Sequence, residues 1–330
     1  MTSVAASARL HFGFGNLSLS HSRLYGALGV ALNEPQVSVS AAPAAEVDAP
    51  PELEEVVRSV CTHLGVDGAS LTVESTLPTH VGLGSGTQHA LAVATAVADA
   101  HNQAISVREV APDLGRGGRS GIGVAAFEAG GFVLDGGHPT ARFTTDRPRD
   151  GRWVVPPVAA QHPIPDGWRF LLVVPDSEPG RSGDVEDDSI RAAINRAEPE
   201  SADRIAGLLT RQVLPAIAAG DADRFGEAVA KIGRLNGAWY ADEQGGVYRP
   251  PVGEIVGSLS GSPAIYGAGQ SSWGPTVYGV TDTAHAEAAR EAGHDALARA
   301  DIDGDVRLVA GRNHGACVDG DAIDVTAKRP

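Results

Sequence analysis

The segment 79–93 (THVGLGSGTQHALAV) has the residue types and spacing of an anion-binding loop. Its glycines alternate, and an alanine-rich run typical of a helix follows them. Glycines let the backbone approach an anion, and a helix N-terminus adds about half a positive charge there. No lysine is needed, and the chain has only two, Lys231 and Lys328. We predict phosphate binding by Gly82, Gly84, Ser85, Gly86, Thr87 and Gln88.

A plain glycine turn, with Ser85 or Thr87 capping the helix, is the alternative for this segment. Positive charge would come from Arg116 and Arg119 in the glycine-rich segment 115–139. A guanidinium offers a bidentate fork to phosphate, although a solvated loop would also suit such residues. In the same segment Glu128, Asp135 and His138 are candidates for binding a cation or moving protons, and each alone is more typical of a structural residue.

Two further segments carry polar groups next to aromatic rings. In 266–279 (YGAGQSSWGPTVYG) a glycine turn with Gln270, Ser271 and Ser272 is crowded by aromatic side chains, of which Trp273 could stack on a flat ligand. Core packing is the alternative, and we prefer it for Tyr278. In "ARLHFG", Arg9 and His11 alternate with apolar residues, so both would leave one face of a strand and could reach a ligand.

Hydrophobic periodicity predicts the elements that position these residues. Strands are expected at 8–17, 25–42, 69–78, 130–137, 168–176, 262–269, 275–280 and 304–310, and helices at 50–65, 87–100, 202–218, 222–236 and 283–297. The stretch 41–51 is predicted to be a surface loop. The Pro-, Arg- and Asp-rich stretch 144–167 marks a boundary between domains 1–160 and 161–330. The β-β-α-β end is typical of a ferredoxin-like split βαβ unit.

Composition limits the class of protein. Hydrophobic residues make up 42% of the chain, so a packed core is expected, and the net charge of −15 argues against nucleic acid and anionic membranes as partners. Such acidity suits a salt-adapted organism, with genome bias as the alternative explanation. Cys61 and Cys317 lack metal-site spacing and are expected to be reduced thiols. Without a signal peptide or membrane span in the sequence, we expect a cytoplasmic protein.

Four of these segments, in this order, resemble the family of galactokinase, homoserine kinase, mevalonate kinase and phosphomevalonate kinase (GHMP kinases). They are the strand with Arg9 and His11, the loop from Pro78, the 115–139 segment and the turn 267–274. The resemblance implies an α+β, two-domain GHMP kinase-like fold with the active site between domains. Many members carry a catalytic aspartate where this chain has Gly123. A glycine has no group to take a proton, which weakens a kinase activity.

Five long segments are more similar to the family of β-ribofuranosylaminobenzene 5′-phosphate synthases, archaeal enzymes with the same fold. This resemblance implies that phosphoribosyl pyrophosphate reacts with 4-hydroxybenzoate or 4-aminobenzoate. Pyrophosphate and CO2 leave, and a C-riboside 5′-phosphate forms for methanopterin biosynthesis. Mg²⁺ on the pyrophosphate and a homodimer are further expectations. No strong base is required, which fits the missing aspartate.

Under this resemblance Arg9, His11 and Arg119 are the catalytic candidates, and Arg116 joins the phosphate loop. The expected substrate-binding residues are Arg23, Gly269, Gln270, Ser271, Ser272 and Trp273. An ATP-dependent small-molecule kinase, with Glu128 or Asp135 as its base, is the first alternative. A non-catalytic metabolite-binding protein is the second.

Overall fold

The computed structural model describes residues 1–178 and 184–323, in which two antiparallel sheets are packed with helices. The strands are β1 (Thr2–Asn16), β2 (Arg23–Ala44), β3 (Gly68–Ser75), β4 (Phe132–Asp135), β5 (His138–Pro139), β6 (Val158–His162), β7 (Trp168–Pro175), β8 (Gly267–Gln270), β9 (Val277–Asp282), β10 (Gly304–Ala310), β11 (Cys317–Val318) and β12 (Asp321–Ala322). The helices are α1 (Glu54–Leu64), α2 (Ser85–Ala100), α3 (Val107–Val110), α4 (Ile122–Ala129), α5 (Asp184–Arg196), α6 (Pro199–Leu208), α7 (Leu214–Ala219), α8 (Ala222–Trp239), α9 (Ala241–Gln244), α10 (Val252–Ser260) and α11 (Ala286–Arg299).

The first sheet has the strand order β12-β11-β1-β2-β4-β6, with β3 and β5 also paired to β2. Its centre is the long hairpin of β1 and β2. The register of this pair shifts between His11 and Gly13, and Gly13 has a φ of 140°. Such a bulge redirects the side chains around it. The irregularity therefore lies where the chain carries one of its candidate functional residues.

The second sheet has the order β10-β7-β9-β8, with α11 between β9 and β10 in the chain. This is the ferredoxin-like split βαβ arrangement that the end of the sequence predicts. The α+β fold is likewise confirmed. The chain then returns to the first sheet, where β11 pairs with β1.

The core continues from one sheet to the other through aromatic side chains. The ring of Phe12, on β1, lies 4.9 Å from that of Tyr278 and 5.8 Å from that of Phe225 on α8, between ring centroids. These three side chains are fully buried. Burial of large aromatic side chains contributes strongly to stability, so β1 is fixed against the second sheet as well as the first.

Most predicted elements are present, with two informative differences. The helix predicted at 202–218 is α6 and α7 joined by a π-helical turn at Leu209–Val213. The surface loop predicted at 41–51 is wrong at its start, because β2 continues to Ala44. Ala41 pairs with Thr2 on one side and Leu71 on the other. The proline and alanine content of 41–51 gave no sign that β2 pairs with β1 on one edge and with β3 on the other.

Candidate active site

Each of the three alternating glycines receives a close contact from another segment. A Cβ added at Gly82 would lie 2.2 Å from the carbonyl oxygen of Ser271. At Gly84 it would lie 3.1 Å from the Arg9 side chain, and at Gly86 it would lie 3.1 Å from Nη1 of Arg116. The spacing thus allows two arginines and the C-terminal turn to pack directly on the loop. Segments distant in sequence are brought together here, as the motifs predicted.

The carbonyl oxygen of Gly82 connects these segments by hydrogen bonds. It accepts from Nη1 of Arg9 at 2.6 Å and from Oγ of Ser271 at 2.8 Å. Oγ of Ser271 in turn accepts from the backbone N–H of His11 at 3.1 Å. The strand, the loop and the C-terminal turn therefore form one hydrogen-bonded unit.

Positive charge converges at the beginning of α2. The helix N-cap is Gly84, with a φ of 83° and no side-chain cap, so the alternative in which Ser85 or Thr87 caps the helix is wrong. Amides of the first helical turn lack carbonyl partners within the helix. In α2 the amide of Thr87 does donate to the carbonyl oxygen of Gly84, at 3.1 Å. The guanidinium groups of Arg9 and Arg116 lie over this first turn. Two guanidinium groups beside a helix N-terminus are an arrangement that suits an anion.

The side chain of Gln88 is directed into the protein interior, and the half-buried Thr87 packs towards position 123. The Gln88 side chain is fully buried and donates to the carbonyl oxygen of Gly123 at 2.8 Å. A Cβ at Gly123 would lie 3.0 Å from Cγ2 of Thr87. Thr87 therefore fills the space that a side chain at position 123 would need. The kinases that the sequence resembles often carry an aspartate at this position, and here Thr87 occupies the space that its side chain would need.

A cleft opens beside this unit, between β1, α8 and the turn after β8. Its empty volume is about 530 Å³, a figure that includes the open solvent at its mouth. Its lining residues are His11, Phe12, Gly13, Phe14, Gly233, Asn236, Gly237, Tyr240, Gln244, Val247, Tyr248, Gln270, Ser272 and Trp273. The predicted residues His11, Gln270, Ser272 and Trp273 thus share one cavity. Gly269 instead packs against the hydroxyl of Tyr278.

His11 is buried and uncharged in this cleft. Burial, with a smaller contribution from the positive charge of Arg9, lowers the pKa of His11 to about 3. Its ring lies 5.1 Å from that of Phe14 in an edge-on arrangement. A neutral imidazole can accept or donate a hydrogen bond without adding charge. His11 can therefore orient a ligand, and near neutral pH it stays unprotonated.

Two predicted arginines make contacts away from the cleft lining. Arg119 forms an ion pair with Asp187 of α5 and is mostly buried. Arg23 donates to the backbone carbonyl oxygens of Gly136 and Gly137. The positions of Arg119 and Arg23 near the other motifs in the sequence did not indicate that they contact Asp187 and the carbonyls of Gly136 and Gly137. The roles of Arg119 in catalysis and of Arg23 in substrate binding stay predictions.

The acidic candidates of the kinase alternative are engaged in structural contacts. The Asp135 carboxylate accepts from the amides of Ala27, Gly121 and Gly137, and burial raises its pKa to about 6. Glu128 pairs with Nε of Arg108 at 2.7 Å. His138 stacks on Phe143 with ring centroids 3.8 Å apart. The carboxylate of Asp135 fixes the start of α4 through the amide of Gly121. Glu128, Asp135 and His138 all lie outside the cleft lining.

Sequence reasoning missed the contribution of α8 and the segment after it. Asn236 accepts from the amide of Phe14 at 2.7 Å and donates to its carbonyl oxygen at 2.9 Å, which fixes the bulged strand. Tyr240 lies against Trp273, with ring centroids 4.4 Å apart. Tyr248 also lines the cleft. A polar asparagine on a helix face that is otherwise apolar was the available signal.

Residues 1–178 and 184–323 contain no group of three or more His, Cys, Asp or Glu side chains placed to hold a metal ion. In the same part of the chain, none of the helices is long and apolar enough to cross a bilayer.

Comparison with known proteins is consistent with this geometry. The chain matches the GHMP kinases N terminal domain at residues 52–131 and the GHMP kinases C terminal domain at residues 213–299. It is 33% identical to a beta-ribofuranosylphenol 5′-phosphate synthase of Methanothermobacter thermautotrophicus, over 94% of this chain and 96% of that protein. A protein of the same name from Archaeoglobus fulgidus is also 33% identical, over 86% and 88%.

The solved structures agree at the level of the fold. A homoserine kinase from Cytophaga hutchinsonii superposes with a TM-score of 0.62 at 16% identity, covering 96% of each chain. The fold is therefore that of the GHMP kinases, while the sequence similarity is greater to the synthases than to this kinase.

Proposed function

Because the chain belongs to the family of β-ribofuranosylphenol 5′-phosphate synthases, which have the GHMP kinase fold, we propose that it transfers a phosphoribosyl group to an aromatic acid. The donor is phosphoribosyl pyrophosphate, and the acceptor is a para-substituted benzoate. The product is a C-riboside 5′-phosphate of methanopterin biosynthesis. The relatives are named for a phenol product, which favours 4-hydroxybenzoate over 4-aminobenzoate as acceptor.

The observation that carries the proposal is the direct link between an anion loop and an aromatic cleft. The hydrogen bonds from Gly82 through Ser271 to His11 join the two. The loop, covered by Arg9 and Arg116, binds the phosphates of the donor. The cleft, with Phe14 and Trp273 among its lining residues, takes the flat acceptor. The two substrates would then meet where the loop and the cleft adjoin.

The chemistry needs positioning and charge stabilisation more than a base. The bond between the sugar C1 and pyrophosphate breaks, and its electron pair leaves with pyrophosphate. The ring carbon bearing the carboxylate forms the new bond to C1. The bond to the carboxylate then breaks as CO2 departs, and its electrons restore the aromatic ring. No proton is removed from a hydroxyl, which is consistent with glycine at position 123.

Mg²⁺ would be bound chiefly through the donor. Magnesium is commonly held by phosphate oxygens and waters with few protein ligands. The described residues contain no group of His, Cys, Asp or Glu side chains placed to hold a metal ion. An ion carried by the phosphates of the substrate does not need one. Bound there, the ion would neutralise charge on the departing pyrophosphate.

The test is a turnover assay with carboxyl-labelled acceptors. The protein is incubated with phosphoribosyl pyrophosphate, Mg²⁺ and either 4-hydroxybenzoate or 4-aminobenzoate, at low and high salt. We expect equal amounts of pyrophosphate and labelled CO2, and no requirement for ATP. Consumption of ATP alone would support the kinase alternative. Ligand binding without turnover would support the metabolite-binding protein.

A further inference from the structure

Two buried polar atoms in the cleft lack a hydrogen-bond partner among the described residues. They are Nδ1 of His11 and the hydroxyl of Tyr248. Both side chains line the same cavity. Leaving a buried polar group unsatisfied costs about 1–3 kcal/mol, so most such groups in proteins are paired. Two of them in one cleft indicate that a ligand completes their hydrogen bonding.

The two atoms lie beside different segments of the chain. His11 is joined to the anion loop through the hydroxyl of Ser271. The Tyr248 hydroxyl instead lies beside α8, 3.8 Å from where a Cβ on Gly233 would be. Tyr248 follows α9 in the chain and precedes α10. A ligand that contacts both groups would have one polar end near the loop and another near α8.

A para-substituted benzoate has this distribution of polar groups. The carbon that attacks the sugar bears the carboxylate and must lie next to the donor, at the loop. The para substituent is at the opposite end of the ring. Between the ends the ligand is flat and apolar, as are the side chains of Phe14 and Trp273.

We propose that the Tyr248 hydroxyl hydrogen-bonds the para substituent of the acceptor, a role that rests on the proposed function. This bond sets the preference for acids with a para hydrogen-bonding group. The site rejects an acceptor without a para hydrogen-bonding group, because the buried hydroxyl would then stay unpaired. Gly233 provides the space for this contact.

The test compares the binding of 4-hydroxybenzoate with that of 4-methylbenzoate, which has a similar shape and no para hydrogen bond. Dissociation constants are measured by titration calorimetry on the full chain. The wild type is expected to prefer the hydroxy acid by about tenfold, the size of one hydrogen bond. Tyr248→Phe should bring the ratio to about one. Tyr266→Phe, which lies outside the cleft lining, should keep the wild-type ratio.

A second variant tests the location without removing the hydroxyl. Gly233→Ala adds a methyl group 3.8 Å from the Tyr248 hydroxyl and 3.6 Å from that of Tyr278, on a helix that tolerates alanine. We expect it to weaken 4-hydroxybenzoate binding about tenfold or more, by steric exclusion. Gly257→Ala on α10, where an added Cβ meets nothing within 4 Å, is the matched control.

The outcomes separate the two proposals. An unchanged preference in Tyr248→Phe, or a wild type without preference, overturns the role of Tyr248 and leaves the proposed function standing if pyrophosphate and CO2 are released. If neither acid binds the wild type and none turns over, the proposed function fails, and the role of Tyr248 fails with it.

Discussion

Nη1 of Arg9 donates to the carbonyl oxygen of Gly82 over 2.6 Å, and this bond fixes the first strand to the glycine-rich loop. The same oxygen accepts from Ser271, which belongs to the C-terminal turn. Since a carbonyl oxygen has two lone pairs, both bonds can form together. The orientation of the loop thus depends on residues from both ends of the chain, so a small change at Ser271 should alter binding at the proposed donor site.

Ser271→Ala removes a donor to Gly82 and an acceptor for the amide of His11. Leaving a buried amide unpaired should lower the free energy of unfolding by about 1–3 kcal/mol. We expect the KM for phosphoribosyl pyrophosphate to rise more than the KM for the acceptor. Chemical denaturation and initial rates are the measurements.

Ser260→Ala is the control for this variant, because among the described residues the Ser260 hydroxyl bonds within α10, to the carbonyl oxygen of Val256. It should change neither KM. A Ser271→Ala enzyme with wild-type stability and kinetics would show that the hydrogen bonds do not hold the loop.

Gly82→Ala should be far more damaging than Gly65→Ala. Both glycines have positive φ, 92° and 68°, which is unfavourable for alanine by about 1 kcal/mol. At Gly65 an added Cβ meets nothing within 4 Å, whereas at Gly82 it meets the Ser271 carbonyl at 2.2 Å. This steric clash would force the glycine-rich loop away from the turn that contains Ser271. Thermal unfolding and donor titration should show loss of donor binding in Gly82→Ala alone. Equal effects of the two substitutions would assign the damage to backbone strain.

The parts of the site that are local in sequence could be predicted, and the parts contributed by distant segments could not. Alternating glycines followed by an alanine-rich helix predict the loop, because backbone conformation follows local residue type. Tyr240 and Tyr248 reach the cleft only through the packing of α8, and no motif marks them. The side chain of Gln88 lies in a predicted motif but is buried, since the direction of a side chain depends on tertiary packing. Arg119 finds Asp187 across the fold for the same reason.

His11 should give stability a specific dependence on pH. Its pKa is about 3 in the folded protein and close to 6.5 in the unfolded chain. As pH falls below 6.5 the unfolded state gains a proton first, so the contribution is complete above pH 6.5 and is lost towards pH 3. The slope attributable to this group approaches about 1.4 kcal/mol per pH unit.

The measurement is the difference in unfolding free energy between the wild type and His11→Gln from pH 7 to pH 4. As pH falls, the wild type should lose stability relative to His11→Gln. His294→Gln, at an exposed position on α11, controls for the loss of an imidazole. A difference that does not vary with pH would mean that His11 titrates normally and is accessible to water.

Gly123→Asp restores the carboxylate that many related kinases carry, and we expect it to harm the protein without creating a kinase. A Cβ at this position lies 3.0 Å from Cγ2 and 3.3 Å from Oγ1 of Thr87, so the longer aspartate side chain needs space that Thr87 occupies. Overpacking of this kind costs about 1–3 kcal/mol. Adding Thr87→Ala should recover part of that stability, because it removes the obstructing atoms. Unfolding by denaturant, together with assays for ATP consumption and for pyrophosphate release, would follow both variants. Gain of ATP-dependent phosphorylation in the double variant would mean that the site remains a kinase site lacking one group, and the assignment of Gly123 to non-kinase chemistry would then be wrong.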